Sequence, residues 1–276
     1  MIVDQHVHLE NGPYTPEDYP QEWLEAYLAT AARRGVARIG FVEHGYRFVE
    51  ARGLLPGTWS EERCRYRVER YFAFVRRMQD LGLPVAAGIE MDYWPGHEEG
   101  IRRFLERHPW DFVLGSVHFV GDFGVDLDPT PETWRQMGEE AVWERYLALS
   151  EQAVESGLFD VLTHPDLPKI FGQRPPALAL DWYPRIAQAL RRRDMAIECN
   201  SRGIRRPIGE PYPTLPYLQA AHAAGVPLSL GSDAHEPENT GIGLDQAASL
   251  AADAGYQKAV HFLGRRRIAA PLPGAP

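Results

Sequence analysis

Ten histidines stand in this chain of 276 residues, and six of them share a placement: each lies at or just past the end of a short β-rich run. His6 and His8 are two apart in the first run, so both side chains point to one face of a strand. His44 follows the second run in Phe41-Val-Glu-His-Gly, His118 closes Gly115-Ser-Val-His, and His164 closes Leu162-Thr-His-Pro-Asp. Asp233 and His235 come together in Gly231-Ser-Asp-Ala-His, and Glu90 ends a run in Gly88-Ile-Glu-Met-Asp. Imidazole and carboxylate are the ligand types that hold zinc, iron or manganese. These eight groups exceed what one tetrahedral ion can use. The expectation is therefore two to three divalent ions, bridged by a carboxylate and a hydroxide. Any one of these motifs alone is weak, since a His pair on a strand is a common accident and Asp-Ala-His can merely cap a helix. Their joint appearance at successive strand ends carries the weight.

Such groups converge only if their strands are parallel and end on one side. The chain repeats the required rhythm of a β-rich run, a polar loop and a helical pattern. Strands are predicted at Met1–Leu9, Val36–Val42, Val85–Glu90, Phe112–His118, Val161–His164, Met195–Asn200 and Pro227–Gly231. Helices are predicted at Gln21–Arg34, Ser60–Leu81, His97 to about Arg107, Pro131–Ser156, Leu180–Arg193, Thr214–Ala224 and Leu244–Ala254. Ala259–Leu263 is a further strand candidate. Alternation at this spacing implies an α/β fold with a parallel sheet. Roughly seven units favour a closed or nearly closed, TIM-like (β/α) barrel, whose active residues sit at the C-terminal rim. No linker or composition shift divides the chain, so residues 1–276 read as a single domain, with the Pro-rich stretch after Arg267 as a tail.

Composition narrows the function classes. A hydrophobic fraction of 44% is too high for disorder, and no apolar run approaches the roughly 20 residues of a membrane helix. Met1–Glu10 alternates polar and apolar residues and carries Asp4 and Glu10, which is not a signal-peptide pattern. A net charge of −9 argues against a nucleic-acid surface. Cys64 and Cys199 are too few for a disulfide framework, so a reduced, cytoplasmic setting is the simplest reading. Of 29 basic residues, all but Lys169 and Lys258 are arginines. The bland explanation is coding bias or a warm habitat; the other is that some of these arginines clamp an oxyanion bidentately, and position along the chain separates the two. His97, nearer the rim than the other three histidines, is a lesser substrate contact; His108, His222 and His261 read as structural. Tyr19, Trp23 and Tyr27 fit a helix's core stripe better than a homo-oligomer interface. No Gly-x-Ser-x-Gly elbow or phosphate-binding glycine loop is present.

As an ordered set, His-x-His, then His, Glu, His, His and Asp-x-His resembles the PHP (polymerase and histidinol phosphatase) superfamily from Val3 to about Gly241. The segments around His44, Glu90 and His118 are most similar to its histidinol-phosphate phosphatases. The resemblance implies a distorted (β/α)7 barrel with a trinuclear metal centre. One metal would take His6, His8, Glu90 and Asp233; Glu90 would bridge to a second, on His118 and His164; a third would take His44 and His235. The family offers a further ligand after the His-x-His, and here the nearest is Glu10, followed by Tyr14, Glu17 and Asp18.

The implied reaction is hydrolysis of L-histidinol phosphate, in histidine biosynthesis. A water between divalent cations loses its proton near neutral pH, and the hydroxide attacks phosphorus in line. Asp233 or His235 is the best-placed donor to the leaving oxygen. Arg202, Arg205 and Arg206, following the sixth strand, form a positive loop suited to anchor phosphate, with Arg47 and Arg174 as lesser candidates. Asp92, Asp166 and Glu236 are candidates to meet the substrate's amine and imidazole. Three other readings stay open: a phosphoesterase acting on a nucleotide or another ester, a metal-dependent amidohydrolase, and a non-catalytic metal-binding module. The second needs a bridging lysine, and Lys169, the only lysine before the tail, is placed after a strand rather than on one.

Overall fold

The computed structural model describes residues 1–127 and 131–272. Seven strands form one parallel sheet: β1 (Ile2–Val7), β2 (Val36–Phe41), β3 (Val85–Asp92), β4 (Phe112–Ser116), β7 (Val161–Leu162), β8 (Ala196–Asn200) and β9 (Leu228–Gly231), in that order. Between β4 and β7 lies a small antiparallel hairpin of β5 (Phe119–Val120) and β6 (Phe123–Gly124). Every residue of β3, β4, β7, β8 and β9 is buried, as expected for a parallel sheet covered on both faces. The ring closes just beyond β9. There Asp233 N donates to His6 O, and His8 N donates to Ala234 O, each at 2.7 Å. The result is a nearly closed, distorted (β/α)7 barrel.

The main outer helices are α1 (Gln21–Arg33), α3 (Val68–Asp80), α4 (Glu98–Leu105), α6 (Glu139–Glu155), α7 (Ala179–Arg192), α8 (Leu215–Ala223) and α9 (Leu244–Asp253). α1 buries Leu24, Tyr27, Thr30 and Ala31, and α3 buries Val68, Tyr71, Phe74, Val75 and Met78. These are apolar stripes at helical spacing. Tyr19 and Tyr27 are buried and Trp23 packs partly buried against the same core, so the aromatic stripe faces inward.

Three expectations need correction. The helix over Ser60–Leu81 is two, α2 (Thr58–Arg63) and α3. The link between them runs extended beside Phe48: Arg65 N and Tyr66 N donate to Arg47 O, and Val49 N donates to Tyr66 O. The helix over Pro131–Ser156 is also two, α5 (Pro131–Met137) and α6, broken at Gly138 with φ 78°. The supposed tail after Arg267 begins inside a strand: β11 (Arg266–Pro271) pairs antiparallel with β10 (Lys258–Leu263). That hairpin carries Phe262 into a cluster with Val42, Ala86, Phe112, Leu114, Val161 and Ala196. Residues 273–276, the rest of that stretch, lie outside the described residues.

Candidate metal centre

Short 3-10 turns follow the barrel strands at the C-terminal rim, at Gly45–Arg47, Leu167–Phe171, Ser201–Arg205 and Pro237–Asn239. All eight side chains singled out from the sequence meet inside this rim. Glu90, on β3, is at their middle. Its Oε2 lies 3.4 Å from His6 Nε2, 3.4 Å from His8 Nε2 and 3.0 Å from His44 Nδ1. Its Oε1 lies 3.1 Å from His164 Nε2 and 3.6 Å from His118 Nε2. One carboxylate thus faces two sets of imidazoles with its two oxygens. Asp233 Oδ1 completes one side, 3.7 Å from His8 Nε2, 3.9 Å from His6 Nε2 and 3.4 Å from His235 Nδ1. Glu10 joins at the open edge, with Oε2 3.5 Å from His235 Nε2 and 3.8 Å from His44 Nε2. Tyr14 instead accepts a hydrogen bond from Arg47, Glu17 pairs with Arg70, and Asp18 is exposed.

Among the described residues, four overlapping groups of ligand atoms lie close enough to hold a cation: His6, His8 and Glu90; His6, His164 and Asp233; His44, Glu90 and His118; and His8, Glu10, His44 and His235. Glu90 Oε2 is buried without a hydrogen-bond partner, among imidazole nitrogens that converge on it. A buried carboxylate oxygen left in that state is costly, and a cation satisfies it together with the facing imidazole lone pairs. The donor set, imidazole plus carboxylate without thiolate, suits borderline and hard divalent ions.

Charge follows from the packing. Burial alone would raise the Glu90 carboxyl, yet His44, His6 and His118 hold it well below the usual range. Asp233 is likewise buried, and Arg202, His6 and His235 keep it ionised. Against its burial, His118 is pushed up to about 10 by Asp92 and Glu90. Burial and Arg202 push His235 down to about 3. The backbone is strained at two of these positions, with φ 24° at His164 and φ 51° at Asp233. Such strain is found at sites the surroundings over-determine.

The arginine loop after β8 reaches the same rim. A cavity of about 360 Å³ is lined by Asn11, Arg202, Arg205, Arg206, Asp233, His235, Glu236 and Asn239. Arg202 Nη1 lies 2.8 Å from Asp233 Oδ1. Arg205 turns to the backbone instead, donating to Ser232 O at 2.7 Å and Ile242 O at 3.4 Å. Arg206 is exposed along the wall. Arg47 is spent on Glu43 and Tyr14, and Arg174 on Glu210. Of the three acids considered for the amine and imidazole, Glu236 lines this cavity. Asp92 is bonded to His118, and Asp166 to Lys169 and Thr214 N. Lys169 is held by Asp166, Glu210 and the Pro211 carbonyl, which leaves no bridging role for it.

His97 heads α4, His108 stacks on Phe72 and His222 packs edge-on to Tyr256. His261 lies in β10, and both cysteines are buried and unpaired. Several residues of the centre had drawn no attention in the sequence. Glu198 Oε1 lies 2.7 Å from His6 Nδ1, and Asn200 links Glu198 to Asp233. Glu43 accepts from Leu9 N at 2.7 Å, fixing the chain just after His8. The available signal was Glu198 and Asn200 at i and i+2 on a strand ending at the rim, the spacing of His6 and His8.

Residues 18–202 match the PHP domain family. This chain belongs to the PHP domain family. The PHP chain is 30% identical over 265 residues to a Deinococcus radiodurans protein named "Probable histidinol-phosphatase", covering 92% of this chain and 94% of that one. It is 24% identical to a histidinol-phosphatase of Lactococcus lactis, over 96% of this chain and 95% of the other. A crystal structure of histidinol phosphate phosphatase from Lactococcus lactis, complexed with zinc, L-histidinol and phosphate, is similar to this PHP fold. Its TM-score is 0.78 at 23% identity, over 97% of this chain and 98% of that one. Among the described residues, no helix is long and apolar enough to cross a membrane.

Proposed function

We propose that this chain is a metal-dependent phosphomonoesterase acting in the cytoplasm. Its reaction is hydrolysis of L-histidinol phosphate to L-histidinol and phosphate, a step of histidine biosynthesis. The observation that carries the reading is Glu90, whose two oxygens face separate sets of imidazoles beside an arginine-lined cavity. The names of the Deinococcus and Lactococcus relatives support the choice of substrate.

His6, His8, Glu90 and Asp233 would hold one divalent ion; Glu90, His118 and His164 a second; Glu10, His44 and His235 a third. The chemistry supplied by two to three such ions, zinc, iron or manganese, is charge neutralisation at phosphoryl oxygens and easier loss of a proton from water. Arg202 presents a planar fork to the phosphate, and Arg206 adds a second cation at the cavity wall. Arg205 holds the loop through the Ser232 carbonyl. Asp233 is ionised beside Arg202, His6 and His235, so it has no proton to give at rest and would serve the leaving oxygen only after gaining one from water. His235, neutral with a value of about 3, offers a lone pair and suits a ligand better than a proton donor. Glu236 meets the substrate's amine from the exposed side of the cavity.

The test is phosphate release by metal-quantified protein from L-histidinol phosphate, nucleoside monophosphates, sugar phosphates and a phosphodiester, with and without chelator. Histidinol phosphate is expected to exceed the others by orders of magnitude in kcat/KM, with activity lost on chelation. A different preferred ester overturns the substrate, and activity that survives complete metal removal overturns the mechanism.

A further inference from the structure

Glu198 is a fully buried carboxylate on β8 that takes no place in any of the cation-holding groups. Both of its oxygens are nevertheless committed to residues of the centre. Oε1 lies 2.7 Å from His6 Nδ1. A carboxylate in this pairing can only accept, so Nδ1 keeps the hydrogen, and Nε2 is the nitrogen that offers a lone pair once a cation displaces its proton. That Nε2 is the atom facing Glu90 and Asp233. Oε2 accepts from His164 N at 3.0 Å, at the residue held at φ 24°. Asn200 Nδ2 donates to the same oxygen at 3.0 Å and to Asp233 Oδ2 at 3.3 Å, while Asn200 Oδ1 accepts from Arg202 N at 2.9 Å. Asp233 is the other centre residue with positive φ.

The neighbouring strand leaves room for this pairing. Gly231 on β9 lies where Glu198 meets His6, and a methyl group there would run into Glu198 Oε1 and the His6 Cβ. On the other side of Glu90, Asp92 Oδ1 lies 2.8 Å from His118 Nδ1, an arrangement that matches Glu198 and His6. By contrast, the buried Nδ1 atoms of His8 and His164 have no hydrogen-bond partner. Glu198 is thus tied to ligand candidates from three other points of the barrel: His6 directly, His164 through its backbone, and Asp233 through Asn200.

We propose that Glu198, with Asn200, is the positioning residue of this centre, fixing the His6 tautomer and the strained backbone at His164 and Asp233 so that their ligand atoms converge. This inference rests on the reading of His6, His164 and Asp233 as metal ligands. Outer-shell partners of this kind typically set metal affinity within a factor of roughly 10 to 100.

The experiment measures zinc affinity near neutral pH by competition with a chromophoric chelator, together with metal content and thermal midpoint. It uses the full-length wild type, E198Q, N200A and D111N. Asp111 is a control of matched burial: it accepts from Ala87 N at 2.8 Å and Gly264 N at 2.7 Å, at the other end of the barrel. In E198Q the amide nitrogen, turned to either side, meets a hydrogen already pointing at it. The expected result is a fall in zinc affinity of roughly 10- to 100-fold for at least one ion in E198Q. A smaller fall is expected in N200A, and wild-type affinity in D111N despite a lowered midpoint. If E198Q does not fold, N200A and D111N decide by the same comparison. Wild-type affinity in E198Q, or in N200A where E198Q is insoluble, overturns the proposal. Equal losses in D111N overturn it too, because they make the effect one of general stability. A wild-type protein that takes up no zinc overturns instead the metal reading on which the proposal rests.

Discussion

Arg202 stands between two demands, with its Nη1 2.8 Å from Asp233 Oδ1 and its side chain on the wall of the rim cavity. A lysine there would keep the charge but lose the planar fork that can bind Asp233 and a phosphate oxygen together. Arg202→Lys is expected to lower kcat/KM by about tenfold or more, equivalent to roughly 1.4 kcal/mol of transition-state stabilisation, with metal content unchanged. Steady-state kinetics beside elemental analysis checks this, and a change under twofold would remove Arg202 from phosphate binding. The histidines, Glu90 and Asp233 were legible in the sequence because ligand atoms that converge from several strands must occupy strand ends, and strand ends can be read. Glu198 was not, and Asp92 reads there as a substrate contact rather than the partner of His118, because a carboxylate behind an imidazole needs only one contact and leaves no spacing of its own. Arg205 was legible as a rim residue, but its turn toward the Ser232 carbonyl depends on how the loop folds back.

The strands read well at the level of elements, since alternating buried runs and helical stripes mark them whatever their neighbours do. Helix interiors read less well where tertiary contacts outweigh local propensity. Periodicity runs through Cys64–Arg67, yet the chain is drawn out there by pairing with Arg47 and Val49, and Glu50 Oε2 accepts from Val68 N at the head of α3. Gly138 was a visible break that a long helical pattern obscured. Its φ of 78° with ψ 112° lies in a backbone region that L side chains rarely populate, at a cost of roughly 1–3 kcal/mol. A Cβ at Gly138 has room, with Ala141 Cβ the nearest atom at 3.9 Å, so Gly138→Ala isolates the backbone cost. Denaturant unfolding should show a loss of that size with kcat unchanged. Unaltered stability would mean that the turn between α5 and α6 relaxes freely.

The barrel as a whole is closed at its two ends by different means. At one end the β10–β11 hairpin inserts Phe262, 3% exposed, into the strand interior. Phe262→Ala is expected to cost about 3–5 kcal/mol by thermal or chemical unfolding, and a cost under about 1 kcal/mol would mean the hairpin merely rests on the barrel. This role was hidden in the sequence, where the final segment reads as a strand and a tail with nothing to pair them. At the other end the buried imidazoles and carboxylates must be reconciled without metal or with it. In the metal-free protein His6 is held well above its ordinary value by Glu198, Asp233 and Glu90, despite burial. His44 is raised by Glu90, and His118 reaches about 10. A raised folded value means that the native state keeps protons the unfolded chain has released above about pH 6.5. These groups therefore contribute stability that is complete below 6.5 and is lost as pH rises, for His118 through about 10. His8 and His235 are lowered, so they are neutral in both states above 6.5 and do not enter this window. The metal-free protein should accordingly melt lower at pH 9 than at pH 7. Metal must displace the retained protons, so zinc added to metal-free protein near pH 7 in weak buffer should acidify the solution. Because proton competition fades with rising pH, the gap between loaded and metal-free melting points should widen from pH 7 to 9. Proton-neutral zinc uptake with a metal-free midpoint flat across that range would show that the imidazoles are not charged before the ions arrive.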